Sequence, residues 1–301
     1  AGDALLAQAA ASQVPDVRLI AAEAYHASKS PRWRPLALEL LRSSGEGARL
    51  RSAELLGIAD ADALRELTRA ASSTNTPTRE VGARLLESAG CEVVVPENQT
   101  CCGQPAWSAG EAEAARALAK KNITDLAGFD YVVLPSASCA EHIKNAYPEL
   151  LASEPEWAEK AADLSKRTHE LTSFLVDVLK VSEVPGDFHG SVTYHDSCKG
   201  LRKLGIKQQP RQLLAAMPGV TLKEMGESEE CCGFGGAFAA KFGEISTVIV
   251  DRKCASIRES GAEAVVGGDL GCLLNIEGRL RRRGDSTRVL HIAEVLAGED
   301  R

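Results

Sequence analysis

Two stretches of the chain place adjacent cysteines directly before a glycine: Cys101-Cys102-Gly103 and Cys231-Cys232-Gly233. Each is followed by a lone cysteine that ends a short apolar run, Cys139 after the first and Cys272 after the second, and Cys198 precedes the second. A thiolate must approach a metal such as zinc to about 2.3 Å, yet neighbouring side chains on an extended backbone point apart. Two adjacent cysteines therefore share a site only where the backbone turns sharply. Gly233 and Gly235 permit that turn, because glycine accepts a positive φ without steric penalty, and they let backbone N–H groups face the sulfurs. Cys198, Cys231, Cys232 and Cys272 make four thiolates, the usual number for a cubane iron-sulfur cluster. For Cys101, Cys102 and Cys139, three readings stay open: zinc with three thiolates and water, a three-thiolate cluster, or a vestigial site.

The remaining reactive side chains read more plainly. Cys91 starts an apolar run and Cys254 lies among apolar neighbours in a helical stretch, so both read as packing residues. His195, beside Cys198, is a candidate proton carrier or a donor to a ligand, with loop capping as the competing role. His291 reads as core, and His142 and His169 as helix surface. Gly233-Phe234-Gly235-Gly236 lacks the Lys and Ser or Thr of a phosphate loop, and nucleotide binding is set aside.

Alternating strands and helices must position these groups. From Cys91 onward, strands are expected at Glu92–Val95, Tyr131–Leu134, Ser191–Tyr194, Val220–Lys223, Ala264–Val266 and Arg288–His291. Helices are expected over Glu111–Leu126, Pro210–Ala216, Ala237–Ser260 and Ile292–Gly298, with a helical linker from Glu156 to Val181. That order argues for parallel βαβ units, and ligands bind at the carboxyl ends of such strands, where the loop cysteines fall. Residues 1–90 carry helical signals instead. Asp16–Ala24, Gly47–Leu55 and Thr78–Leu85 superimpose at a step of 30 to 31 residues, with leucine-bearing segments at Arg34–Arg42 and Ala61–Ala71 between them. This resembles HEAT-like repeats. The expectation is therefore α/β, with two pseudo-repeated βαβ cysteine-rich domains over 91–185 and 186–301, preceded by an all-α helical-repeat segment over 1–90.

Composition excludes other classes. With 44% apolar and 26% charged residues the chain can bury a large core. A net charge of -7 without a basic stripe gives no footprint for nucleic acid, and the run Arg279–Arg283 reads as a solvated helix end. No apolar run is long enough to span a bilayer and no charged leader precedes the Ala-rich start, so the expected compartment is the cytoplasm. There, nine cysteines are better read as metal ligands, redox groups or small core residues than as disulfides.

Four ordered motifs now carry a resemblance: Gln99-Thr100-Cys101-Cys102-Gly103-Gln104-Pro105, Tyr194-His195-Asp196-Ser197-Cys198, Glu230-Cys231-Cys232-Gly233-Phe234-Gly235-Gly236 and Gly267-Gly268-Asp269-Leu270-Gly271-Cys272-Leu273. They resemble the lactate-utilisation A family, within the cysteine-rich (CCG) domain proteins that include heterodisulfide reductase and glycolate oxidase iron-sulfur subunits. The resemblance implies an iron-sulfur oxidoreductase subunit that transfers electrons with a ferredoxin-type partner in oxidation of L-lactate to pyruvate. It implies a cluster, [4Fe-4S], on Cys198, Cys231, Cys232 and Cys272, with Cys101, Cys102 and Cys139 as a second set. Zinc is the alternative metal; the alternative functions are a heterodisulfide reductase-like redox subunit and a helical-repeat scaffold with a structural metal. Three departures stand out. Residues 69–75 hold no cysteine where the first half of the family has one, leaving Cys91 as the only substitute; Asp269 replaces the first cysteine of the heterodisulfide reductase ending; and Lys199 follows Cys198 where the family often has His.

Overall fold

The computed structural model describes residues 2–12, 15–40, 76–96 and 98–298. Its contacts divide the chain into two units, Ala1–Thr74 and Asn75–Arg301. In the first, helices Gly2–Ala10, Pro15–Ala27 and Trp33–Leu40 are described. Ala21, Ala22 and Tyr25 face Leu36 and Leu40 across this small core, and Leu6, Leu19 and Trp33 close it. These positions recur at helical spacing, which makes one apolar stripe per helix. The first expected repeat, Asp16–Ala24, is the second of these helices, while Gly47–Leu55 and Ala61–Ala71 lie outside the described residues. The third, Thr78–Leu85, lies in the helix Thr76–Ser88 of the second unit.

The second unit is a mixed α/β structure, mostly helical, with two parallel sheets. Strands β1 (Val132–Leu134) and β2 (Thr168–Glu170) form the smaller one. The larger contains β3 (Gly190–His195), β4 (Val220–Leu222), β5 (Ala264–Gly267) and β6 (Arg288–His291), in the order β4-β3-β5-β6. All its pairings are parallel. Successive side chains of a strand face opposite sides, and the sheet is covered on both. Val192, Tyr194, Ala264, Val266 and Leu290 pack on one face with Val81 and Leu85 of the helix Thr76–Ser88 and with Leu213, Leu214 and Val295. Val265 turns to the other face, against Val250, Cys254, Ile257, Ile276 and Leu280. Burial on both faces explains why β5 reads as an unbroken apolar run. A third core, around Val132, gathers Ala115, Ala119, Ile123, Ile143, Tyr147 and Leu164.

The chain leaves β3 toward β4 on one side and returns to place β5 on the other, so the carboxyl ends of β3 and β5 flank the point where strand order reverses. Crevices open at such points. Cys198 and Cys272 follow those two strand ends.

Three expectations change. Glu92–Val95 forms no strand: none among the described residues pairs with it, and Val94 and Val95 stay exposed. The expected linker Glu156–Val181 contains the helix Pro155–Arg167 but then β2, which pairs with β1 in register Val132↔Thr168. Neither His142 nor His169 is on a helix surface: His142 opens a π-helical turn, His142–Ala146, and is buried edge-on against Tyr147, while His169 is the middle residue of β2.

Candidate metal centre

Four elements deliver the sulfurs of the second half. Strand β3 ends at His195, and the loop that follows is fixed by Asp196, whose carboxylate takes two hydrogen bonds of 2.8 Å from Arg211. Arg211 also pairs with Glu224 and lies over the Tyr194 ring. Ser197 caps the helix Cys198–Leu204 by accepting from the Gly200 N–H, which sets Cys198 as its first residue. The second loop turns at Gly233, where φ is 85° and an added Cβ would lie 2.7 Å from the Ser246 carbonyl oxygen. Only glycine meets both conditions without strain. The turn points backbone donors back at the sulfurs: Gly233 N–H at Cys231 Sγ, 3.3 Å, and Phe234 N–H at Cys232 Sγ, 3.5 Å. Asn275 holds the Cys232 carbonyl at 2.9 Å, and Cys272 projects from the first turn of the same helix, Leu270–Arg282.

The result is a chain of four hydrogen-bonded thiols, Cys198 to Cys231, Cys231 to Cys232 and Cys232 to Cys272. Cys231 is the acceptor. Hydrogen bonds from Cys198 and Cys232, with that of the Gly233 N–H, pull it down to about 2, whereas Cys198 and Cys232, which donate to it, are raised. The hydrogen bond from Cys232 draws Cys272 down, but burial and the Asp269 charge outweigh it and leave the thiol raised. A metal that binds this set must displace its thiol protons. Cys232 and Cys272 are buried while Cys198 and Cys231 are half-buried, so one side of the site is open.

His195 joins this group closely. One ring nitrogen lies with Cys232 Sγ and Cys272 Sγ so that the three atoms are within 4.8 Å of one another. Burial first, and then the Lys253 charge, push the imidazole down to about 3, so it is neutral at pH 7. Both its ring nitrogens are buried without a hydrogen-bond partner. Such an orphaned donor and acceptor is costly unless a ligand satisfies it. Soft sulfur donors, a neutral imidazole and inward-facing N–H groups together fit a metal or iron-sulfur site.

The profile of the CCG cysteine-rich domain matches residues 66–144 and 192–277. The chain belongs to the CCG cysteine-rich domain family. Lactate utilization protein A of Geobacillus kaustophilus (strain HTA426) is 48% identical over 220 residues, covering 72% of this chain and 92% of that protein. The protein of the same name from Bacillus cytotoxicus is 46% identical over 212 residues, 70% of this chain and 88% of its own length. That of Halalkalibacterium halodurans is 46% identical over 217 residues, 72% and 88%.

The first CCG segment brings together Cys101, Cys102 and Cys139. Cys102 is raised by its hydrogen bonds to Cys101 and Cys139, and Cys101 is lowered to about 7, chiefly by the bond from Cys102. Gly103, at φ 89°, aims its N–H at Cys101 Sγ, 3.5 Å away. Tyr147 Oη donates to the Cys102 carbonyl and Asn122 Nδ2 to that of Cys101. Cys91 is not recruited: it packs on the core beside β3, while Cys101, Cys102 and Cys139 belong to the core around β1. Residues 69–75, where the family's first cysteine falls, lie outside the described residues, and all nine cysteines are accounted for without them. Cys254 is fully buried in apolar surroundings and burial raises it to about 11, as suits a packing residue.

Contacts between the two CCG segments were not legible in the chain. Asp269 accepts from the Ser138 N–H at 2.9 Å, and Lys199 pairs with the buried Glu141 at 2.7 Å. His291, expected in the core and found there, donates from Nε2 to the Pro135 carbonyl at 2.7 Å. The loops bearing Cys139 and Cys272 are therefore bonded to each other. No helix among the described residues is long and apolar enough to cross a membrane.

Proposed function

We propose that this chain is an iron-sulfur oxidoreductase subunit that passes electrons in the oxidation of L-lactate to pyruvate. The convergence of Cys198, Cys231, Cys232 and Cys272 on one half-open site carries the reading. Relatives named for lactate utilization, matched over most of their length, support the substrate. We read residues 91–185 and 186–301 as the two CCG domains after a helical-repeat segment over 1–90.

Those four thiolates would hold a [4Fe-4S] cluster, which supplies electron transfer when bound. The chain's own residues hold and shield that group. Gly233 and Phe234 supply N–H donors to Cys231 and Cys232, Arg211 fixes the loop before Cys198 through Asp196, and Phe234 lies against Gly271 beside Cys272. His195 can give an N–H to a sulfur or a lone pair to the metal, and it is the candidate to carry a proton. Cys101, Cys102 and Cys139 form a second, three-thiolate set. The chain lacks the closely spaced cysteine run of a ferredoxin, so onward transfer calls for a ferredoxin-type partner subunit in the cytoplasm.

Anaerobic purification of the full chain with iron, sulfide and zinc analysis tests this. Iron and sulfide in equal amounts are expected; zinc without iron, or no metal, refutes it.

A further inference from the structure

Among the largest fully buried side chains of the described residues, Lys253 alone carries a formal charge. It is 1% exposed and projects from the helix Gly243–Ser260 on the face that also bears Ser246, Val250 and Ile257. That face floors the cysteine loop. Ser246 Oγ donates to the Gly233 carbonyl at 2.8 Å, and Ser256 Oγ accepts from the Glu227 N–H at 2.9 Å. Between them Lys253 Nζ donates to the Glu227 carbonyl, lies 3.3 Å from that of Ser228 and 4.0 Å from Met225 Sδ. The Ser228 carbonyl also takes the Asp196 N–H at 3.0 Å. One ammonium group therefore ties the turn leading into Cys231-Cys232 to the loop that carries His195 and Cys198.

A charge sealed from water is costly unless an opposite charge or several acceptors lie close. Here the acceptors are the backbone carbonyls of Glu227 and Ser228. Met225, 4.0 Å from Nζ, packs in the same core as Cys232 and Cys272, which puts the Lys253 head group beside the sulfur site.

We propose that Lys253 is a positioning residue for the metal centre, bracing the Cys231-Cys232 loop against the His195–Cys198 loop and raising the reduction potential of an iron-sulfur cluster held there. A cluster on four thiolates gains negative charge on reduction, and a fixed cation in a poorly screened interior favours the reduced form. This inference rests on the iron-sulfur reading of the site.

The test uses the full chain as wild type, Lys253→Gln, Lys253→Met, Lys253→Arg and Arg252→Gln, each reconstituted anaerobically with iron and sulfide. Arg252 is the control, a cation on the same helix whose partner is Glu227 at the surface, 2.7 Å away. Iron content and the midpoint potential from an electron paramagnetic resonance redox titration are the readouts. The Gln and Met variants are expected to keep their iron and shift the midpoint to more negative potential, with Lys253→Arg close to wild type and Arg252→Gln unmoved. If Lys253→Met does not fold, Lys253→Gln decides, since its amide still donates to the loop carbonyls. Iron lost from Gln and Met but kept by Arg also supports the assignment. A loaded Lys253→Gln with the wild-type midpoint, an equal shift in Arg252→Gln, or iron lost from all three Lys253 variants overturns it. A wild type that takes up no iron refutes the underlying reading, and this inference falls with it.

Discussion

Gly233→Ala should unfold the cysteine loop more than its small size suggests. At φ 85° the new methyl would sit 2.7 Å from the Ser246 carbonyl oxygen, 3.3 Å from Ile249 Cβ and 3.3 Å from the Val250 nitrogen. Two of these atoms are helix backbone and cannot swing aside. Holding an L side chain in the left-handed region costs roughly 1–2 kcal/mol, and forcing a methyl into packed surroundings adds roughly 1–3 kcal/mol. The stiffer unfolded chain of the alanine variant offsets about 0.4–1 kcal/mol. The net loss is then roughly 1–5 kcal/mol. Urea denaturation of metal-free protein under anaerobic reducing conditions measures it, with Gly128→Ala as control, since nothing lies within 4 Å of a methyl there. Gly103→Ala, at φ 89° but facing the Leu118 side chain at 3.3 Å, should lose less, because a side chain can yield. A Gly233→Ala variant within about 0.5 kcal/mol of wild type would refute the claim that this turn requires glycine.

Arg211→Met removes the bidentate partner of Asp196, whose side chain is fully buried, and leaves that carboxylate without its counter-charge. The loss should be roughly 3–5 kcal/mol in the same denaturation assay, and Glu224→Gln, at the exposed side of the network, should lose far less. His291 makes stability depend on pH. Its ring donates from Nε2 to the Pro135 carbonyl and accepts the Ala293 N–H at Nδ1, so only the neutral form satisfies both, and burial pushes it from 6.5 down to about 4. The folded pKa lies below the unfolded one, so the unfolded state binds the extra proton first. Stability from this group is whole above pH 6.5 and is lost as pH falls toward 4, by about 3 kcal/mol. A His291→Gln variant measured at pH 7.5, 5.5 and 4.5 should show a shallower decline than wild type.

The parts of the fold that were legible are those whose own residues decide their state. Ala264-Val265-Val266 and Ser191–Tyr194 are apolar and β-branched enough to read as buried strands, and the glycines after Cys102 and Cys232 announce turns because few other residues tolerate their backbone angles. Thr168-His169-Glu170 was not legible, since nothing in three polar residues asks for a strand until β1 supplies hydrogen bonds alongside. Glu92–Val95 shows the converse: an apolar run without a partner stays a loop. Within the site, the cysteines declared themselves by type and spacing. Asp196 with Arg211, and Lys253 with the Glu227 and Ser228 carbonyls, did not, because ordinary charged residues far apart in the chain acquire those roles only through packing. His142 likewise reads as polar helix surface until the π-helical turn and Tyr147 cover it.

The central claim, that Cys198, Cys231, Cys232 and Cys272 hold an iron-sulfur cluster, is tested most directly by electron paramagnetic resonance of the reduced full chain. Cys232→Ser and Cys272→Ser should lose most of the cluster signal and the matching iron. Cys254→Ala, which removes a fully buried sulfur of the same core, should keep both. A cluster signal that survives in Cys232→Ser and Cys272→Ser, or disappears equally in Cys254→Ala, would contradict the account.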